Sequence, residues 1–284
     1  MNDTRRRVVI ATDASISLKS GFVEQYRVLV VPRRYRIGQQ TVLSVDGPAQ
    51  FVSDRTLPEL LPAQLDDFIA TYRQIENASI FSIHSAATID NAIQQARIAR
   101  NLLSPGVDLE IFEAKTIDGG VQLLVETAAD FVNSEKDATK EQVQALLERI
   151  HGHILTLVLC KGTGRLPCET RNDFFQELAN LFGPRLMFKM DSSKAVFKQI
   201  ISGKQERELM VDNRTQILVQ WKHQTSARAS QLFAEMTRMF GRDAFAVREI
   251  YLRNPIFPDD FIGIVAYPDS TRIAELVKWV KRWG

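Results

Sequence analysis

The sequence predicts an α/β protein of two domains: an N-terminal Rossmann-like parallel sheet flanked by helices, and a C-terminal α/β domain with a mixed sheet. Three observations carry this. Short β-branched runs alternate with amphipathic helical stripes in the first half, as in a parallel sheet covered by helices. After about residue 150 strand-like runs follow one another closely, with fewer helices between them. The length of 284 residues is long for one core and comfortable for two. The expected domains are residues 1–150 and 151–284.

Arg7-Val8-Val9-Ile10-Ala11 is a short apolar run that ends in Thr12-Asp13-Ala14-Ser15, as a buried parallel strand runs into a polar loop. Similar runs recur at Arg27–Val31, Ser79–Ile83 and Val107–Phe112. Between them, helices are expected over Leu65–Ile75 and Ile89–Leu103, the second with Ile89, Ala92, Ile93, Ala96, Ala99 and Leu103 on one stripe. Gly119-Gly120 precedes a strongly apolar helix, Val121–Val132, and Thr139 starts another through Ile150. The second half opens on a strand, His153–Leu159, and a tight turn, Lys161-Gly162-Thr163-Gly164-Arg165. Further strands are expected at Arg185–Met190, Ala195–Ile201, Glu208–Val211, Gln216–Trp221, Val247–Leu252 and Ile262–Tyr267. Helices fit at Arg171–Phe182, Ser226–Phe240 and Ser270–Trp283.

Composition narrows the function. Apolar residues at 45% and charged residues at 25% are ordinary for a soluble globular protein. No apolar run approaches the roughly 20 residues that cross a bilayer, so no membrane span is expected. The apolar stretch after the basic start, Val8–Ala11, is too short for a signal-peptide core, and cytoplasmic localisation is the expectation. Net charge is +2, and the densest basic clusters, Arg5-Arg6-Arg7 and Pro32-Arg33-Arg34-Tyr35-Arg36, read as solvated strand edges. No nucleic-acid partner is expected from them. Cys160 and Cys168 fit neither a zinc ribbon nor a Cys-x-x-Cys centre, and no cofactor is expected.

The candidate binding residues are His84, Ser85 and Thr88, in Ile-His-Ser-Ala-Ala-Thr-Ile-Asp-Asn-Ala over 83–92. A strand that delivers them to a helix entered at Thr88 would aim the first N–H groups of that helix at an anionic head group. The structural alternative is that Thr88 is an N-cap and His84 a satisfied interior histidine. Asp13 with Ser15 and Ser17 reads as a turn or cap. His151 and His153 alternate as strand residues would, with no third metal ligand near in sequence. Cys160 would be a nucleophile only with a depressed pKa; more often such a cysteine is a small core residue.

The order of segments resembles the DegV family of bacterial fatty-acid-binding proteins. The residues that carry the resemblance are Val9-Ile10-Ala11-Thr12-Asp13-Ala14-Ser15, Tyr26–Pro32 with the Arg36-Ile37-Gly38-Gln39 hairpin, and Glu113–Gly120 before the central helix. Met187-Phe188-Lys189-Met190-Asp191 and Arg248–Leu252 extend it almost to the end of the chain. The resemblance implies a non-catalytic protein that holds a fatty acid or other lipid, its head group between the domains and its tail inside one of them. It also implies, as a partner, the kinase subunit of a fatty acid kinase. The family's head-group positions depart here: its hydroxyl-bearing segment falls near Glu59–Gln64, its serine pair on Ala86-Ala87, and its histidine turn on Ile256–Asp260. The alternative reading is a ligand-free relative kept as a partner-binding or regulatory module, with Leu60, Leu61, Ala86 and Ala87 packed together. A thiol-dependent enzyme at Cys160 ranks last.

Overall fold

The computed structural model describes residues 7–16, 18, 21–47, 58–75, 77–160, 186–191, 194–200, 215–222, 245–250, 262–268 and 270–281. The turn expected at 161–165, the strand at 208–211, the helices at 171–182 and 226–240 and the turn at 256–260 lie outside these residues.

The first sheet joins β1 (Arg7–Asp13), β2 (Leu29–Val31), β6 (Ala78–Ser85) and β7 (Asp108–Ala114) in the order β2-β1-β6-β7, every pair parallel. Its interior strands are buried on both faces because helices cover both. On one face Phe68 and Tyr72 of α2 (Leu65–Tyr72) and Ala92, Ala96 and Ala99 of α3 (Ala92–Leu102) meet Ala11 and Ile80. On the other, α4 (Asp118–Ser134) and α5 (Lys140–Gly152) bury Leu124, Val125, Leu146 and Leu147 against Val8, Ile10, Phe81 and Ile83. Each such side chain taken fully from water contributes roughly 1.5–3 kcal/mol.

Several boundaries move from those the sequence suggests. The helix α4 begins at Asp118 and takes Gly119 and Gly120 into its first turn. A Cβ on Gly120 would lie 2.2 Å from Thr116 Oγ1, so glycine is required there by close approach. Thr139 caps α5 through a complete capping box in which Gln142, rather than a glutamate, is the reciprocal partner. The same helix runs on to Gly152, so His151 lies in its last turn, His153 is its C-cap, and the next strand, β8, starts at Leu155. The expectation that the two histidines share a strand face is therefore overturned: helix-favouring Leu146, Leu147 and Glu148 carry the helix past them.

Between β2 and α2 the chain builds a small antiparallel sheet, β4-β3-β5, from β3 (Arg33–Ile37), β4 (Gln40–Ser44) and β5 (Glu59–Leu60). Gly38, at φ 59°, makes the β3–β4 turn. The second sheet orders β8 (Leu155–Cys160), β9 (Leu186–Asp191), β10 (Val196–Ile200), β11 (Thr215–Lys222), β12 (Phe245–Ile250) and β13 (Ile262–Pro268) as β10-β9-β8-β13-β11-β12. It is mixed: β11 and β12 are parallel and the other pairs antiparallel. The helix α6 (Ser270–Lys281) returns to the first core, where Ile273, Leu276 and Val277 pack. Among the described residues no helix is long and apolar enough to cross a membrane.

The two sheets meet at an apolar seam. Ala86, Ile89 and Ile117 of the first domain pack with Val158, Phe188, Met190, Phe197 and Val265 of the second. Two hydroxyls cross it: Thr88 donates to the Ala195 carbonyl, and Thr116 Oγ1 lies 2.7 Å from Thr156 Oγ1.

Candidate ligand site at the strand ends

From β1 the chain crosses to β2 on one side, and from β6 it crosses to β7 on the other. The crevice between the carboxyl ends of β1 and β6 is therefore the topological switch point, where open α/β sheets take their ligands. Asp13 ends β1 and His84 lies one residue from the end of β6.

The crevice is occupied from within. His84 is fully buried, and its Nδ1 donates to Asp13 Oδ2 at 2.6 Å. Its Nε2 lies 2.7 Å from Ser82 Oγ, which lies 2.8 Å from the Tyr72 hydroxyl. Arg33, at the start of β3, enters from the other side with its side chain at 0% exposure. Its Nη1 donates to Asp13 Oδ1 at 2.8 Å and Asp90 Oδ2 at 2.5 Å. Its Nη2 donates to Asp90 Oδ1 at 3.1 Å and to the Leu61 carbonyl at 3.0 Å. Arg33 Nε is buried with no hydrogen-bond partner among the described residues. Asp13 Oδ1 also accepts the Ser15 N–H at 3.0 Å, the turn expected of that loop.

The electrostatics follow from the arrangement. Burial alone would raise the Asp13 carboxyl, but the Arg33 guanidinium, and then the His84 bond, outweigh it and hold it well below the usual carboxylate range. Burial works against the Arg33 charge as well, and Asp90 and Asp13 more than reverse that, keeping it firmly protonated. Burial pushes the Tyr72 and Tyr35 hydroxyls up, so both stay neutral donors. The Tyr35 hydroxyl donates to the Ala14 carbonyl, fixing the same loop.

The three sequence-predicted residues have separate places. His84 is the satisfied interior histidine of the structural alternative. Thr88 lies in a turn closed by Ile89 and Asp90 N–H bonds to the Ala86 carbonyl, and α3 starts only at Ala92, after Asn91. Thr88 is thus not the N-cap, and the expected helix entrance at 88 is displaced. The reason is Asn91, whose side chain pins the Ala63 N–H at 2.8 Å and the Ala63 carbonyl at 3.3 Å. Ser85 ends β6 on the opposite face from His84, is 7% exposed, and engages no hydrogen-bond partner among the described residues. Next to it the Ala87 N–H donates to Glu113 Oε1 at 3.0 Å.

Arg33, Tyr72, Ser82 and Asp90 escape a reading of the sequence. A signal was present in Arg33-Arg34-Tyr35-Arg36, whose strand alternation puts Arg33 and Tyr35 inside while Arg34 pairs outward with Asp67. The solvated-edge reading of this cluster fails at Arg33. Among the described residues no group of three or more His, Cys, Asp or Glu side chains is arranged to hold a metal. Leu60 and Ala86 do not join one cluster: Leu60 pairs with Tyr35 in the small sheet, and Ala86 lies in the seam. Cys160 is the last residue of β8, and its side chain is outside the described ones.

A family model for the DegV family, described as uncharacterised proteins, matches residues 7–166. That is more than half of the chain. The chain belongs to the DegV family. No protein of curated function matches it by sequence. Solved DegV structures share its fold over nearly the whole length. A DegV family protein from Thermus thermophilus, described by its fatty acid binding, superposes with a TM-score of 0.66 at 16% identity, covering 92% of this chain and 99% of its own. DegV from Bacillus subtilis, a fatty acid binding protein, gives 0.66 at 13%, covering 93% and 100%. A DegV family protein from Eubacterium eligens, loaded with heptadecanoic acid, gives 0.61 at 11%, covering 93% and 100%. The two-domain α/β architecture is therefore that of the DegV fold.

Proposed function

We propose that this protein binds a long-chain fatty acid or a related acyl ligand, with its head group between the domains, at the carboxyl end of β6, and its tail inside one of them. The observation that supports this most is the match over more than nine-tenths of the chain to DegV proteins that bind fatty acids, together with Ser85, a strand-end hydroxyl with no hydrogen-bond partner among the described residues. In this reading the roles of the three candidate residues divide. Ser85 touches the head group, Thr88 ties the adjoining turn to Ala195, and His84 holds the strand end from the opposite face.

The protein acts by binding rather than catalysis. Ser82, His84 and Asp13 have the spacing of a nucleophile–base–acid relay, yet Ser82 is fully buried and its oxygen is also engaged by Tyr72. No reacting carbonyl can reach it. A partner kinase subunit that receives the acyl chain belongs to the same reading, with the cytoplasm as the site of action.

Native mass spectrometry of the protein purified from cells tests the proposal. A co-purifying lipid of acyl mass, and a rise in melting temperature with added C16 or C18 ligands, are expected. A protein that carries no lipid and gains no stability from any acyl ligand overturns it. Co-purification of a kinase subunit from the native host tests the partner separately.

A further inference from the structure

We infer that the turn over residues 86–91 is a coupling element, through which a displacement of the β9–β10 hairpin in the second domain reaches the small sheet β4-β3-β5 on the first. The inference does not depend on which ligand the protein takes. The turn is closed on itself, because the Ile89 and Asp90 N–H groups both donate to the Ala86 carbonyl, at 2.8 and 3.1 Å. Within it, Thr88 and Asp90 reach separate units. The Thr88 hydroxyl donates to the carbonyl of Ala195, next to the first residue of β10. Asp90 takes Arg33, the first residue of β3, on both carboxylate oxygens, at 2.5 and 3.1 Å. Asn91 pins Ala63 ahead of α2, and the Ala87 N–H donates to Glu113 of β7. A turn fixed by its own backbone bonds shifts as a unit, so a load on Thr88 is also a load on Asp90.

Both ends of the connection are firmly seated. Ala195 has φ 55°, a left-handed conformation disfavoured for a residue with a Cβ. It is kept there by its N–H bond to the Asp191 carbonyl at 2.8 Å and by burial in the cluster that also contains Ala86 and Ile89 of the turn. At the other end the Arg33 side chain is wholly buried, so water screens its pair with Asp90 little. The seam supplies its own control. Thr116 and Thr156 also meet across it, at 2.7 Å, but neither belongs to the turn.

Hydrogen–deuterium exchange of the intact protein tests the coupling. Thr88→Val keeps the side-chain volume and removes the hydroxyl, and it should speed exchange of the β3 and β4 amides by about twofold to tenfold, the range that loss of one hydrogen bond gives. Thr88→Ser should restore the wild-type rates. Coupling is reciprocal, so Asp90→Asn should speed exchange in β9 and β10 by a similar factor. Thr116→Val should leave β3 and β4 unchanged. Wild-type exchange of β3 and β4 in Thr88→Val, or equal acceleration in Thr116→Val, overturns the inference. Where Thr88→Val lowers the melting temperature too far for comparison, Asp90→Asn decides alone: unchanged exchange in β9 and β10 overturns the coupling.

Discussion

Replacing Arg33 by methionine keeps most of the side-chain volume and removes the charge between two buried carboxylates. Asp13 and Asp90 have side chains at 2% and 8% exposure, and Arg33 at 0%. After the substitution Asp13 keeps His84 and the Ser15 N–H, whereas the Asp90 carboxylate keeps no partner among the described residues. Breaking a buried pair by removing one partner costs about 3–5 kcal/mol, much of it from the charge left behind. A loss of about 4 kcal/mol lowers the melting temperature of a chain of this size by roughly 8–16 °C. Denaturant unfolding and calorimetry measure it. The mechanism makes a second demand: Arg33→Met with Asp90→Asn should be more stable than Arg33→Met alone by at least about 1 kcal/mol, because the stranded charge is gone. Acid sensitivity gives a third. The Asp13 carboxyl titrates lower in the folded protein than its unfolded value near 3.9, so its contribution is whole above about pH 4 and is lost as the pH falls further. Arg33→Met should flatten that acid slope. A variant within about 1 kcal/mol of wild type, or a strictly additive double variant, would refute the view that Arg33 neutralises the crevice.

Gly120→Ala should destabilise by about 1–3 kcal/mol despite the better helix preference of alanine, because its Cβ meets Thr116, whose hydroxyl crosses to Thr156. Adding Thr116→Ala should recover part of the loss in thermal unfolding. Thr139→Ala removes one half of the capping box and should cost about 1 kcal/mol, read by chemical denaturation. Tyr72→Phe deletes a hydroxyl that bonds Ser82 and His84 and should cost about 1 kcal/mol, without removing any charge from the network.

The elements that can be read from the sequence are those whose cause is local. The apolar runs of β1, β6 and β7 and the Ile93, Ala96, Ala99 stripe of α3 are set by short-range periodicity, and they are found in place. The start of α3 is set from a distance, by Asn91 turning to Ala63 twenty-eight residues earlier, and the sequence places it three residues too early. Gln142 in the capping box is local but lies one residue type away from the glutamate pattern. The polar network is the least legible part. Its members come from residues 13, 33, 72, 82, 84 and 90 and meet only because the sheet order brings β1 beside β6 and folds β3 over their ends. His84 was visible as a polar residue at a strand end, but its partners were not, so the sequence left a ligand contact open beside the interior anchor that the structure shows.

The alternation along β6 has a consequence for how such a protein can diversify. His84 and Ser85 are adjacent in sequence yet face opposite layers of the sheet, one locked into Asp13 and the other without a hydrogen-bond partner among the described residues. Substitutions on the Ser85 face can therefore change what that layer presents while the anchor one residue away keeps the strand tip in register. The two layers of the sheet can drift separately along a single strand, one held by a buried ion pair and the other by packing alone.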